Sequence, residues 1–143
     1  MHLSRESEYG LKAMIYLAQQ PPATILTLNE IAESRNLPAG FLAKTFQKLT
    51  RHGLVQSFRG RRRGYCLARE ASEIHLRELL EAIEGPDLFQ RCVFWGGRCG
   101  ESNPCLLHVG WREIKPQLTD FLEGMTLAGL AQNENGGTDA ASV

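Results

Sequence analysis

Between Cys92 and His108 the sequence reads "CVFWGGRCGESNPCLLH", which places three cysteines and a histidine within 17 residues. Thiolate and imidazole are soft donors. The surrounding Gly96, Gly97, Gly100 and Pro104 give a backbone able to wrap closely around a bound centre. Such a segment could hold a metal, close a disulfide, or be a loop with buried thiols. Iron in a sulfur cluster prefers thiolates, and zinc accepts a tetrahedral Cys₃His set. Structural zinc sites usually pair cysteines about two to four residues apart. Here the gaps between Cys92, Cys99 and Cys105 are six and five residues. On the residues alone, zinc and a cluster stand level. Cys66, in "GYCLAR", is distant from this loop and reads as a small strand residue.

The elements that position these groups must fit in 143 residues, enough for one domain with an appended arm, and 43% hydrophobic residues allow a real core. No apolar run approaches the ~20 residues needed to cross a bilayer. "MHLSRESEYG" lacks the apolar core of a signal peptide. The expectation is a cytoplasmic protein without a membrane partner, in which cysteines serve as metal ligands or redox groups.

The net charge of zero conceals two unlike halves. Residues 1–69 carry 11 Lys/Arg against 4 Asp/Glu, and residues 70–143 carry 5 against 12. Between Glu33 and Glu70 there are nine basic residues and no acidic one. A solvated charged face would mix the signs, so this half is expected to meet a polyanion.

The periodicity supplies the shape. Leu11, Met14, Ile15 and Ala18 predict a helix over 4–20, ended by Pro21–Pro22. Thr27 and Glu30 form a capping-box pattern for a short helix from Leu28 to about Ser34. Pro38 opens a third helix, through about His52, with Gly53 as its stop. Leu42, Phe46 and Leu49 form its buried stripe; Gly40, Lys44, Gln47, Lys48 and Arg51 lie on its other faces. This is a helix-turn-helix pattern whose second helix is basic. "LVQSF" (54–58) and "GYCLAR" (64–69) then predict a β-hairpin with Arg59, Arg61, Arg62 and Arg63 at its tip, the chemistry of a wing that meets phosphate or a narrow minor groove.

Beyond the wing, a helix is predicted over about His75 to Glu84, ended by Gly85–Pro86. Leu107, Trp111, Ile114, Leu118, Phe121 and Met125 then recur at alternating steps of four and three, a heptad-like seam suited to pairing with a second copy. Pro116 falls inside this helix and predicts a bend, since an interior proline costs roughly 3 kcal/mol. "MTLAGLAQ" predicts a short helical turn capped by Thr126. The fold class expected is mostly α with a small β-hairpin wing: a winged helix-turn-helix domain over 1–85, a cysteine loop and long dimerisation helix over 86–131, and a disordered tail over 132–143. Catalysis is not expected. There is no phosphate-cradling glycine loop and no nucleophile elbow, and Glu78 and Glu81 read as helix surface.

Taken in order, "MHLSRESEYGLKAMIYLA", "TLNEIAESRNLPAGFLAKTFQKLTRHGLVQSFRGRRRGYCLAR", "LLEAIEGP", the three cysteines and "TLAGL" resemble the iron–sulfur winged-helix regulators, a family that includes IscR, NsrR and RirA. The resemblance spans roughly residues 1–131. It implies a homodimeric transcription factor on a double-stranded DNA operator, with affinity that depends on a cluster at Cys92, Cys99 and Cys105, and it moves the cluster ahead of zinc. The first gap is one residue longer than the five usual in the assembly regulator and the nitric-oxide sensor. A 2Fe–2S cluster is favoured, with 4Fe–4S left open. His108, one helical turn after Cys105, matches the place of the fourth ligand in the assembly regulator. Glu8, presented from the partner subunit's first helix, is the rival. The alternative is the same fold using its cysteines as a zinc site or a thiol redox switch. Gln47 or Lys44 would read bases, while Lys48, Arg51 and the wing arginines would meet phosphate.

Overall fold

The computed structural model describes residues 3–94, 97, 98, 100 and 104–136, the last three by backbone alone. Among the described residues there are six α-helices and one hairpin: α1 (Arg5–Ala18), α2 (Leu28–Arg35), α3 (Ala39–Arg51), β1 (Val55–Phe58), β2 (Gly64–Leu67), α4 (Leu76–Glu84), α5 (His108–Gly124) and α6 (Leu127–Gly136).

Helix α1 forms the spine because small and apolar residues recur along one side. Gly10, Ala13, Met14 and Leu17 are all buried. A Cβ on Gly10 would lie 2.7 Å from Ile83 Cδ1 and 2.9 Å from Thr45 Cγ2, so the glycine lets α3 and α4 close on α1. Helix α2 starts as the sequence predicts. Thr27 Oγ1 accepts from the Glu30 amide (3.2 Å), and Glu30 Oε2 accepts from the Thr27 amide (2.7 Å). It ends at Asn36, whose φ of 53° reverses the chain, and the Leu37 amide closes onto the Ala32 carbonyl. Helix α3 buries Leu42, Thr45, Phe46 and Leu49. The Phe46 ring meets the Tyr65 ring edge-on at 4.9 Å and so ties the helix to the hairpin.

The hairpin pairs Val55 with Leu67 through to Phe58 with Gly64. Leu26 and Tyr65 also exchange two backbone hydrogen bonds of 2.9 and 2.7 Å, adding a one-residue third strand that no alternation in the sequence announces. Gly64 is required there: its φ is +144°, and a Cβ would stand 2.5 Å from the Leu26 carbonyl oxygen.

Two backbone hydrogen bonds tie the C-terminal part to the start of α4. The Leu76 amide bonds the Met125 carbonyl and the Leu127 amide bonds the Ile74 carbonyl, both at 2.8 Å. The C-terminal end of α5 is therefore pinned beside the start of α4, while α6 packs on α1 with Leu127 and Ala131 buried. Residues 127–131, predicted to go with the dimerisation helix, thus complete the winged core. Helix α6 continues to Gly136, past the predicted start of the tail, and residues 137–143 lie outside the described part. Thr126 does cap it, accepting from the Gly129 amide at 3.1 Å.

Helix α5 runs through Pro116, and of its 17 residues only His108 and Leu122 are buried. The predicted seam splits. Leu118 and Met125 pack against the core, whereas Leu107, Ile114 and Phe121 stay exposed. No helix among the described residues is long and apolar enough to cross a membrane.

Candidate functional site

Helix α3 and the hairpin tip each carry an exposed cationic surface. Gly40, Lys44, Gln47 and Arg51, spaced by four, three and four, form the exposed stripe of α3. Arg59, Arg61, Arg62 and Arg63 are exposed around the 3₁₀ turn that joins β1 to β2. Lys12, Arg69, Arg77 and Arg91 are each engaged by a carboxylate. Lys44, Arg51 and the four tip arginines have no ion pair among the described residues. Their charge faces solvent, as phosphate binding requires.

Lys48 stands apart from this group. Its Nζ donates to Glu6 Oε2 (2.9 Å) and to the Ile83 carbonyl (3.1 Å), while Thr45 Oγ1 donates to Glu6 Oε1 (3.1 Å). In this conformation Lys48 braces α3 against α1 and α4, so it differs from the other predicted phosphate contacts.

The cysteine loop starts at Gly85, whose φ of +111° turns the chain out of α4, and Leu88 anchors the next turn in the core. A bridge joins Arg91 to Arg98, and the Cys92 amide donates to the Gly97 carbonyl at 2.9 Å. The loop's far end enters α5. The His108 amide donates to the Cys105 carbonyl (3.0 Å), so these two residues flank one turn at the helix start. Cys92 and Cys105 are half-buried and His108 is buried. The Phe94 ring stands edge-on to Trp111 at 6.0 Å, covering the same end of the helix. Cys99 lies outside the described residues, and no group of three His, Cys, Asp or Glu side chains is assembled among those described. The half-buried Cys105 thiol and the buried His108 imidazole at the start of α5 are donor types that suit a thiophilic centre.

Glu8 sits exposed on α1, where Lys12 Nζ reaches it at 2.8 Å. That hydrogen bond, with the charge behind it, holds its carboxyl below the usual range. Cys66 is buried in β2, and burial pushes its thiol up, as suits a packing residue.

One cluster escapes sequence reasoning altogether. Glu84 Oε1, at the end of α4, accepts from the Ser4 amide (2.7 Å), Ser4 Oγ (2.7 Å) and Ser7 Oγ (2.6 Å). Its Oε2 lies 3.5 Å from Arg91 Nη1. Arg91 also donates to the Glu84 carbonyl and to Asp87 Oδ1 (2.8 Å). Burial pushes the Glu84 carboxyl up, but the serine donors and the guanidinium outweigh it and the net direction is down. The partners are up to 80 residues apart in sequence, so no spacing pattern could reveal them.

A family profile described as Rrf2, iron-dependent transcriptional regulator, matches residues 3–133. The HTH-type transcriptional regulator IscR of Escherichia coli is 34% identical over 134 residues, covering 94% of this chain and 82% of its own. Among solved structures, CymR, the global cysteine regulator of B. subtilis, aligns with a TM-score of 0.77 at 28% identity, over 92% of this chain and 97% of its own. IscR of T. potens aligns at 0.73 and 26%, over 99% and 96%.

Proposed function

Since this chain belongs to the Rrf2 family of iron-dependent transcriptional regulators, we propose that it binds its operator as a homodimer with an affinity switched by an iron–sulfur cluster at Cys92, Cys99 and Cys105. The observation that supports this reading is the meeting of Cys105 and the buried His108 at the start of α5, where the His108 amide donates to the Cys105 carbonyl at 3.0 Å, in the segment whose sequence also carries Cys92 and Cys99. That helix keeps Leu107, Ile114 and Phe121 exposed, a stripe that a second copy would cover. His108 is the favoured fourth ligand and Glu8 of a partner subunit the rival. A 2Fe–2S cluster remains favoured over 4Fe–4S.

The division of labour follows from the surface. Lys44 and Gln47 sit where a helix in the major groove presents base-reading side chains, with Gly40 allowing close approach. Arg51, Arg59, Arg61, Arg62 and Arg63 neutralise phosphates. Two such units on one rigid dimer read half-sites at a fixed separation. When bound, a cluster would supply the tie that holds the loop's three thiolates together, and iron shortage, oxidant or nitric oxide would remove it. The protein's part is to turn the loop's order into a fixed angle between the two α3 helices.

A second reading has its own support: the half-buried Cys92 and Cys105 thiols, and the fold shared with a regulator named for cysteine, suit a thiol switch or a zinc site without a cluster. One preparation separates the two. Purified without oxygen, the protein is expected to be brown with sulfur-to-iron charge-transfer absorption, and iron removal should change operator affinity roughly tenfold. Cys92→Ser, Cys99→Ser and Cys105→Ser together should abolish both colour and iron dependence. A colourless protein with stoichiometric zinc selects the second reading.

A further inference from the structure

The contacts at the base of the cysteine loop form a continuous polar chain that ends on the DNA-facing helix. Arg91 immediately precedes Cys92, and its guanidinium grips Glu84 and Asp87. Glu84, with a side chain only 7% exposed, holds the N-terminal turn of α1 through Ser4 and Ser7. The same turn presents Glu6, which binds both Thr45 and Lys48 of α3. Lys48 in turn reaches back to the Ile83 carbonyl, the residue before Glu84. Gly85 makes the clasp fit, since a Cβ there would stand 3.2 Å from Asp87 Oδ1 and 3.3 Å from Arg91 Nη2.

From this geometry we infer that Arg91 and Glu84 are positioning residues that transmit the state of the cysteine loop, through the first turn of α1, to the setting of the recognition helix. A guanidinium suits the task because its planar fork can hold a carboxylate, a carbonyl and a second carboxylate at once, so displacing its backbone disturbs all three. The far end is equally determinate. Ser7 and Thr45 are buried, and α1 and α3 meet across Gly10 with no room to slide. The path is local to one subunit and does not pass through α5, so it adds to any change in dimer angle. This inference rests on the loop being the sensor, as proposed above.

The test measures coupling, because a contiguous path alone does not establish it. Full-length wild type, Arg91→Ala, Arg91→Lys and Glu84→Gln are each titrated, with and without iron loading, against a labelled duplex selected from random sequence by the wild type. Hydrogen exchange is followed in residues 4–10 and 41–50. In Arg91→Ala and Glu84→Gln the ratio of loaded to unloaded affinity should fall to within about twofold of one. Exchange in the two segments should cease to respond to loading, with dimer mass and cluster absorption retained. Arg91→Lys keeps the charge and loses the fork, so it should give an intermediate ratio. Should Glu84→Gln melt too low to titrate, Arg91→Ala, a partly exposed loop position, reads the same quantity. A wild-type ratio kept by Arg91→Ala overturns the clasp alone. A wild type indifferent to iron overturns the reading of the loop and the clasp with it.

Discussion

The winged core and helix α5 both carry large apolar residues, yet they satisfy them in opposite ways. In the core, Met14, Ile31, Leu42, Phe46, Leu49, Ile74 and Leu79 are essentially inaccessible, and α2 begins at a complete capping box. In α5, Ile114 is 54% and Phe121 58% exposed, although the helix is the longest in the described part. A stripe of large apolar side chains left in water is a mark of surfaces that bind a partner. The core buries its apolar residues within the chain; α5 presents the stripe that the proposed dimer would cover.

That contrast can be broken most severely from within. Phe46→Ala removes the ring shared by α3 and the hairpin, and should cost about 3–5 kcal/mol, a large share of the stability of a domain this size. Chemical denaturation should show the loss as a lower midpoint at an unchanged slope. Phe121→Glu should act in the opposite place. It should turn the proposed dimer into monomers at micromolar concentration by sedimentation, while the core's melting transition moves little once dimer linkage is allowed for. The smallest effect on stability belongs to Arg61→Ala, Arg62→Ala and Arg63→Ala combined, since these side chains are exposed. The melting temperature should stay put while the slope of log K against log salt flattens by about 0.9 for each phosphate no longer neutralised. An unaltered slope would remove the wing from the DNA-binding surface.

The same surfaces also explain where the acidic excess of the C-terminal half goes. Glu78, Glu81, Glu84, Asp87 and Glu123 each engage Arg69, Arg77 or Arg91 around α4. These carboxylates neutralise Arg77, Arg91 and the adjoining Arg69, whereas the tip arginines of the basic half are left unopposed among the described residues. Local charge counts found this asymmetry, but they could not tell which lysines belong to it. Lys44 and Lys48 are one helical turn apart, and of the two Lys48 is the one held by Glu6.

Helices, caps and hairpin were legible in the residues because their causes are local. Thr27 and Glu30 are three apart, the α3 stripe repeats at the helical period, and Gly53 and Gly85 stop helices with positive φ. Cys92, Cys105 and His108 stand out in the sequence by residue type and spacing, but the described residues assemble no group of three such side chains, and Cys99 lies outside them. Tertiary structure alone decided the return of α6 to α1, the Leu26–Tyr65 strand, the split of the α5 seam and the Arg91–Glu84–Ser7 cluster. Each joins segments far apart in the chain. Whether two such groups meet depends on how whole helices pack, a sum over many contacts that no local pattern of residues encodes.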